Sequence, residues 1–262
     1  MRGPVLGWSG LAVVALLLAG CGGDDDSTSA ENSSDSEPST LTVFAASSLT
    51  DAFGELEKTF EADNSGVDVE FSFDSSSTLA EQVIQGAPVD VLATADEATM
   101  QSVVDEDLTA ADPVAFAQNK LTVVTPPDNP ADVGSITDLD TGKVDFAICV
   151  PDAPCGAATE KLFGIVGVTA EPVTEEDNVR DVLTKVTTGE VDAGLVYVSD
   201  AQAAADDVTE VEVPEADQAL NADVIAPLTD AAEPDLAEAW VDLVASDQGQ
   251  QVLESYGFLP PP

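Results

Sequence analysis

The chain has 262 residues, 51 of them acidic and seven basic, with no histidine and a formal net charge of −44 at pH 7. Such a field makes nucleic acid and anionic membrane surfaces poor partners, and the lack of histidine removes His-based triads, histidine acid–base chemistry and His-containing metal sites. GxSxG, P-loop, GxGxxG and DxDxDG patterns are absent, and two internal cysteines cannot build a four-thiolate zinc site, so no enzymatic activity is expected.

The first readable feature is an apolar run, Leu11 to Leu18, that closes on Leu18-Ala19-Gly20-Cys21. It is shorter than the ~20 apolar residues a membrane span needs. Small residues before a cysteine instead predict a lipoprotein signal peptide over 1–20, with Cys21 lipidated as the new first residue. Everything after it is then extracytoplasmic and tethered to the membrane. Residues 22–40 carry six acids and no large apolar side chain. The stretch 21–40 is therefore expected to be a disordered, self-repelling linker.

Folded structure is expected from Leu41. Leu41 to Ala46 is a short apolar strand, Ser47-Ser48 a turn, and Leu49 to Phe60 a helix with Leu49, Ala52, Phe53, Leu56 and Phe60 on one face. The unit repeats: strand 67–73, turn 74–77, helix 78–84, strand 89–94, helix 97–104. Strands follow at 120–125 and 145–150, helices at 156–163 and 178–188, a strand at 193–198, an apolar strand at 222–228, and helices at 236–246 and 249–256. Strand and helix alternating over short connections specifies α/β architecture with largely parallel sheets. Two such units would hold a ligand between them, at the carboxyl ends of the strands.

Ser47-Ser48, Ser75-Ser76-Ser77, Cys155-Gly156 and Asn178-Val179 each stand at one of those ends, at the start of a helix. Helix N-termini present free N–H groups and partial positive charge, and serine hydroxyls add rotatable donors. One such serine would be an N-cap and nothing more. Four helix starts of this kind point to an anion cradle.

The segments VFAASSLTDAF, FSFDSSSTLAEQVIQGAPVDVLATAD, VPDAPCGAATEKL, EEDNVRDVLTKVTTGEVDAGLVYVSDA and ESYGFLP resemble, in order and across nearly all of 41–259, the periplasmic molybdate-binding proteins of ABC transporters. The resemblance implies a two-lobed periplasmic binding protein fold, type II-like, with a hinge of two crossing strands. Lobe 1 would comprise 41–118 and 222–262, and lobe 2 residues 119–221. It implies a monomeric receptor that captures molybdate or tungstate and passes it to an ABC permease, with no cofactor and no direct ligation of molybdenum by the protein. The family's contacts fall on the hydroxyls of Ser48, Ser76 and Tyr197 and on the backbone at Cys155 and Val179. Molybdate is a dianion that accepts hydrogen bonds only, which hydroxyls and helix-start amides satisfy without a formal positive charge. Sulfate is also a pure acceptor, so a receptor for it or another tetrahedral oxyanion is the alternative. An acidic, calcium-dependent surface module is a more distant one.

Three positions depart from the family pattern. Asp74 is expected to cap the helix starting near Ser77 and to face outward. Cys155 stands where alanine is common, but a backbone contact is indifferent to that. Arg180, the only arginine after residue 20, fits either an anion clamp or a surface or structural ion pair, and is left out of the core site. Cys149 and Cys155 flank a five-residue loop, and in an extracytoplasmic protein that spacing predicts a disulfide. Its expected role is to stiffen the turn whose amides meet the ligand.

Overall fold

Ser39 and Thr40 already pair with Val67 and Asp68, so the first strand starts two residues inside the expected linker. The computed structural model describes residues 39–262. The expected signal peptide, Cys21 and the expected linker as far as residue 38 lie outside the described residues.

Alternation builds the first strand. In β1 (Ser39–Ala46) Leu41, Val43 and Ala45 are fully buried while Thr40, Thr42 and Phe44 between and before them are only half-buried. A 3-10 turn at Ser47–Leu49 leads into α1 (Thr50–Asp63), whose Phe53, Leu56 and Phe60 form one buried stripe. Then come β2 (Val67–Asp74), α2 (Ser76–Ile84), β3 (Val91–Thr94), α3 (Glu97–Val104) and β4 (Val114–Asn119). Near the C-terminus β10 (Asn221–Pro227), α7 (Pro234–Ala245) and α8 (Asp247–Ser255) return to the same lobe. Trp240 of α7 is fully buried there and meets Phe53 and Phe60 edge-on at 5.5 and 5.3 Å.

The second lobe takes the middle of the chain. It contains β5 (Leu121–Thr125), β6 (Phe146–Cys149), α4 (Pro154–Val166), β7 (Thr174–Glu176), α5 (Val179–Thr187), β8 (Ala193–Tyr197), α6 (Val198–Ala203) and β9 (Thr209–Val211). Both sheets have five strands, ordered β2-β1-β3-β10-β4 and β7-β6-β8-β5-β9. The backbone crosses between them twice, through Lys120 from β4 to β5 and through residues 212–220 from β9 to β10. These crossings form the hinge of a two-lobed α/β fold.

The expectation of largely parallel sheets holds but for one reversed strand in each sheet, β10 in one and β5 in the other. In each sheet two strand pairs are parallel and two antiparallel: β10 runs against β3 and β4, and β5 against β8 and β9. The cause is the hinge, because a strand arriving from the other lobe enters its sheet from the opposite end. The edge strands β4, β7 and β9 and the one-and-a-half-turn α6 are additional to the sequence reading. β7 reads Thr-Glu-Glu and β9 Thr-Glu-Val, with no buried residue in either, so neither carries an apolar alternation.

Candidate functional site

The starts of four helices converge on one cleft between the sheets. Its lining includes Ser47 and Ser48 from the 3-10 turn, Asp74, Ser75 and Ser76 from the β2–α2 junction, Pro154 and Cys155 from α4, and Asn178 and Val179 from α5. Ala46, Ala95 and Tyr197 complete it. All five residues carried over from the family, Ser48, Ser76, Cys155, Val179 and Tyr197, line this one space.

Hydrogen bonds around the cleft leave donors pointing into it. The Ser76 hydroxyl accepts from the Ala95 amide at 2.9 Å, so its own proton is free to be given away. The Tyr197 oxygen accepts from Asn221 Nδ2 at 2.6 Å. That nitrogen also faces the Pro154 carbonyl at 3.4 Å, which fixes the amide orientation because a carbonyl only accepts. The Tyr197 proton is thus left for a further acceptor. Burial first, then the charges of Asp223, Asp96 and Asp200, push the Tyr197 pKa well above the ordinary phenol value, so the group stays a donor. The Ser48 hydroxyl is buried and has no hydrogen-bond partner among the described residues. A buried hydroxyl left unpaired costs about 1–3 kcal/mol.

The amides follow the same logic. Pro154 occupies the first turn of α4 without an N–H, so Cys155 supplies the first donor of that helix. At α5 the Asn178 side chain accepts from the amides of Arg180 and Asp181 at 3.0 and 3.1 Å, which leaves the Val179 amide uncapped. Neither the 3-10 turn nor α2 or α4 has a side-chain cap. The dipoles of these turns are open toward the cleft.

Asp74 overturns an expectation. It does not cap a helix near Ser77, and it does not face outward. Helix α2 begins at Ser76 with Ser75 as its N-cap, while Asp74 still belongs to β2 and pairs in register with Ala46. Its half-buried carboxylate lines the cleft, accepting from the Ser75 amide at 2.7 Å and from Asn178 Nδ2 at 3.4 Å. Arg180 does stand in ion pairs, with Asp200 and Asp51, and is not among the lining residues. Ala95, Pro154 and Asn221 are contributions the sequence reading missed. Helix-start position could have signalled Pro154, but nothing local marks Asn221, 24 residues from the tyrosine it orients.

Cys149 at the end of β6 and Cys155 in the first turn of α4 are joined by a disulfide. The Cys155 side chain is thereby committed to its partner, which leaves the backbone amide as the donor that residue has to offer. Denatured, non-reduced protein from an oxidising compartment is expected to show neither cysteine alkylated by mass spectrometry, and alkylation of both would remove the bond. Reduction is expected to lower stability by about 2 kcal/mol, the scale for closing so short a loop.

Two α/β lobes joined by a double crossover, with a cleft between them on which four helix starts converge, define a hinged solute receptor. Residues 41–259 match the bacterial extracellular solute-binding proteins, and the chain belongs to that family. Its setting is therefore extracytoplasmic. The molybdate-binding protein ModA of Mycobacterium tuberculosis is 42% identical over 260 residues, covering 97% of this chain and 99% of that one. Among solved structures, the periplasmic molybdate-binding protein of Azotobacter vinelandii superposes with a TM-score of 0.74 at 20% identity, covering 85% of this chain and all of that one. The sulfate-binding protein SubI of M. tuberculosis reaches the same TM-score at 18% identity, over 85% and 87% of the two chains. The fold by itself therefore serves more than one oxyanion.

Proposed function

We propose that the protein captures molybdate or tungstate between its lobes and delivers it to an ABC permease, acting as a transport receptor and catalysing nothing. A lipid on Cys21 would hold it at the membrane as a monomer, with lobes of 41–118 plus 222–262 and of 119–221. The hydroxyls of Ser48, Ser76 and Tyr197 and the amides of Cys155 and Val179 are the assigned contacts. The relatives named for molybdate support the choice of ion. The observation that carries the assignment is the Ser48 hydroxyl, buried without a partner in a cleft where the neighbouring hydroxyls have protons to give. A dianion with four acceptor oxygens completes that arrangement, and closure around it follows if the bound ion touches both lobes at once.

Calorimetry and melting curves with molybdate, tungstate, sulfate, phosphate and calcium test the reading. Molybdate and tungstate are expected to bind and raise the melting temperature, while phosphate, whose proton near neutral pH has only the Asp74 carboxylate in the lining as a charged acceptor, is expected to bind more weakly. Ser48→Ala and Ser76→Ala should each weaken molybdate binding by roughly 1.5–3 kcal/mol, the range for a hydrogen bond to a charged group. Unchanged affinity in both variants would defeat the cradle. Tighter binding of sulfate than of molybdate would reassign the ion and leave the site in place.

A further inference from the structure

Arg180 sits at the second position of α5, directly after Val179, and its guanidinium reaches in two directions. Within its own lobe Nε lies 2.7 Å from Oδ1 of Asp200, which belongs to α6 and is fully buried. Across the cleft Nη2 pairs with Oδ2 of Asp51, in the first turn of α1 and three residues beyond Ser48. Of the ion pairs among the described residues, Arg180–Asp51 alone joins the two lobes. We infer that Arg180 and Asp51 form a latch that is made when the lobes close and that holds the bound anion in by slowing reopening. The inference rests on the proposed anion site.

Geometry divides the latch into a fixed half and a moving half. Arg180 and Asp200 are carried by one lobe, so their ion pair survives any hinge motion, and the buried carboxylate holds the guanidinium near the rim by charge, Nε and Oδ1 not being aligned for a hydrogen bond. Asp51 is carried by the other lobe and must withdraw when the hinge opens. A typical surface ion pair is worth little, partly because two long side chains must be ordered to make it. Here one partner is already held by Asp200 and the other is a short aspartate at a helix start, so that cost is small. Partial burial adds to the effect, since the Arg180 side chain is only 27% exposed.

The arrangement also explains why an arginine one residue from the anion cradle is not an anion clamp. Two carboxylates face one guanidinium, so no net positive charge remains for a ligand. Selectivity is left to the hydroxyls and amides, and Arg180 acts on the ligand only through closure. It is a positioning residue in that sense, coupled to the site because Val179 and Arg180 ride on one helix start and Ser48 and Asp51 on another. A second cross-cleft contact, Asn178 Nδ2 to Asp74 Oδ1 at 3.4 Å, is longer and not ionic on both sides.

The test is stopped-flow binding and release of molybdate, tungstate and sulfate by the wild type, Asp51→Asn and Asp51→Glu. Asp51 is half-buried on α1 and outside the cleft lining, so its variants leave the anion contacts intact. For whichever oxyanion the wild type binds, Asp51→Asn is expected to raise the off-rate three- to tenfold at low salt, with the on-rate within twofold and the ligand-free melting temperature unchanged. Asp51→Glu should restore part of the slow release. Added chloride should speed release from the wild type more than from Asp51→Asn, because it screens a pair the variant lacks. An Asp51→Asn off-rate equal to wild type overturns the latch while leaving the receptor reading intact. A fall in ligand-free stability that matches the loss of affinity overturns it too, since the pair would then be a static bond. Failure of all three oxyanions to bind the wild type overturns the receptor reading and, with it, anion-driven closure.

Discussion

Gly156→Ala is expected to cost about 3 kcal/mol of stability, the upper end of the usual overpacking range, and to weaken oxyanion binding at least tenfold. A Cβ at Gly156 would stand 1.9 Å from the Val150 carbonyl oxygen and 2.6 Å from its carbon. Those atoms cannot move aside cheaply. The Val150 oxygen accepts from the Ala153 amide at 3.0 Å, and the Val150 amide donates to the Glu176 carbonyl at 2.9 Å, tying the loop to β7. The Cys149–Cys155 bond pins the same loop at both ends. The strain must therefore pass into the first turn of α4 and displace the Cys155 amide from the cleft. Thermal melting and calorimetry on the variant check both halves. Wild-type melting together with wild-type affinity would mean that the 149–155 loop does not lie on α4 as described.

That steric relation was half legible. The sequence marks Pro154-Cys155-Gly156 as a helix start and the cysteine pair as a closed loop, but a glycine there reads as turn chemistry, and only the fold shows that it admits a carbonyl. The same contrast runs through the molecule. α1 and α5 announce themselves because Phe53, Leu56 and Phe60, or Val179, Val182, Leu183 and Val186, recur at helical spacing on a buried face. β7 and β9 do not, because they are three residues long and lie at sheet edges. Strand direction is not local information at all: Leu121–Thr125 and Asn221–Pro227 read as ordinary apolar strands, and their antiparallel setting follows from the crossing between lobes.

The site divides along the same line. Ser48, Ser76, Cys155 and Val179 are legible because the chemistry that binds an anion and the chemistry that starts a helix are the same chemistry. Their convergence is tertiary, as is everything that sets their proton direction: the Ala95 amide behind Ser76 and the Asn221 amide behind Tyr197. Asp74 was misjudged because a strand-end acid before three serines looks like a cap, whereas its backbone still belongs to the ladder. Asp223 left no trace in the sequence either, sitting as one acid within an apolar strand.

Asp223 and Asp200 together predict that the protein becomes more stable when acidified from about pH 7.5 to 4.5, against the common expectation that acid destabilises. Both carboxylates are fully buried, and neither Asp223 oxygen has a hydrogen-bond partner among the described residues. Burial, followed by the charges of Asp200 and Asp96, raises the Asp223 pKa well above the ordinary value. Burial also raises that of Asp200, to about 6, even though Arg180 and the Tyr197 amide pull it down. A group whose folded pKa lies above its unfolded value binds more protons when folded. Its contribution is present in full below the unfolded pKa near 4 and is lost as pH rises through the folded one. For Asp200, a displacement of about two pH units corresponds to something on the order of 3 kcal/mol between pH 4 and 6. Asp223 adds to this with the same sign, and relief of repulsion within a −44 chain adds again. Asp138 opposes it only further down, since backbone hydrogen bonds from Gly134 and Ser135 hold its pKa below the ordinary value. Asp223→Asn separates the buried acid from the surface: the variant should gain stability at pH 7.5, where the amide has no charge to desolvate, and gain less than the wild type on acidification. Urea denaturation of both proteins across this range decides it, and wild-type stability that falls steadily from pH 7.5 to 5 would show that Asp223 and Asp200 are not held as protonatable acids beneath the cleft.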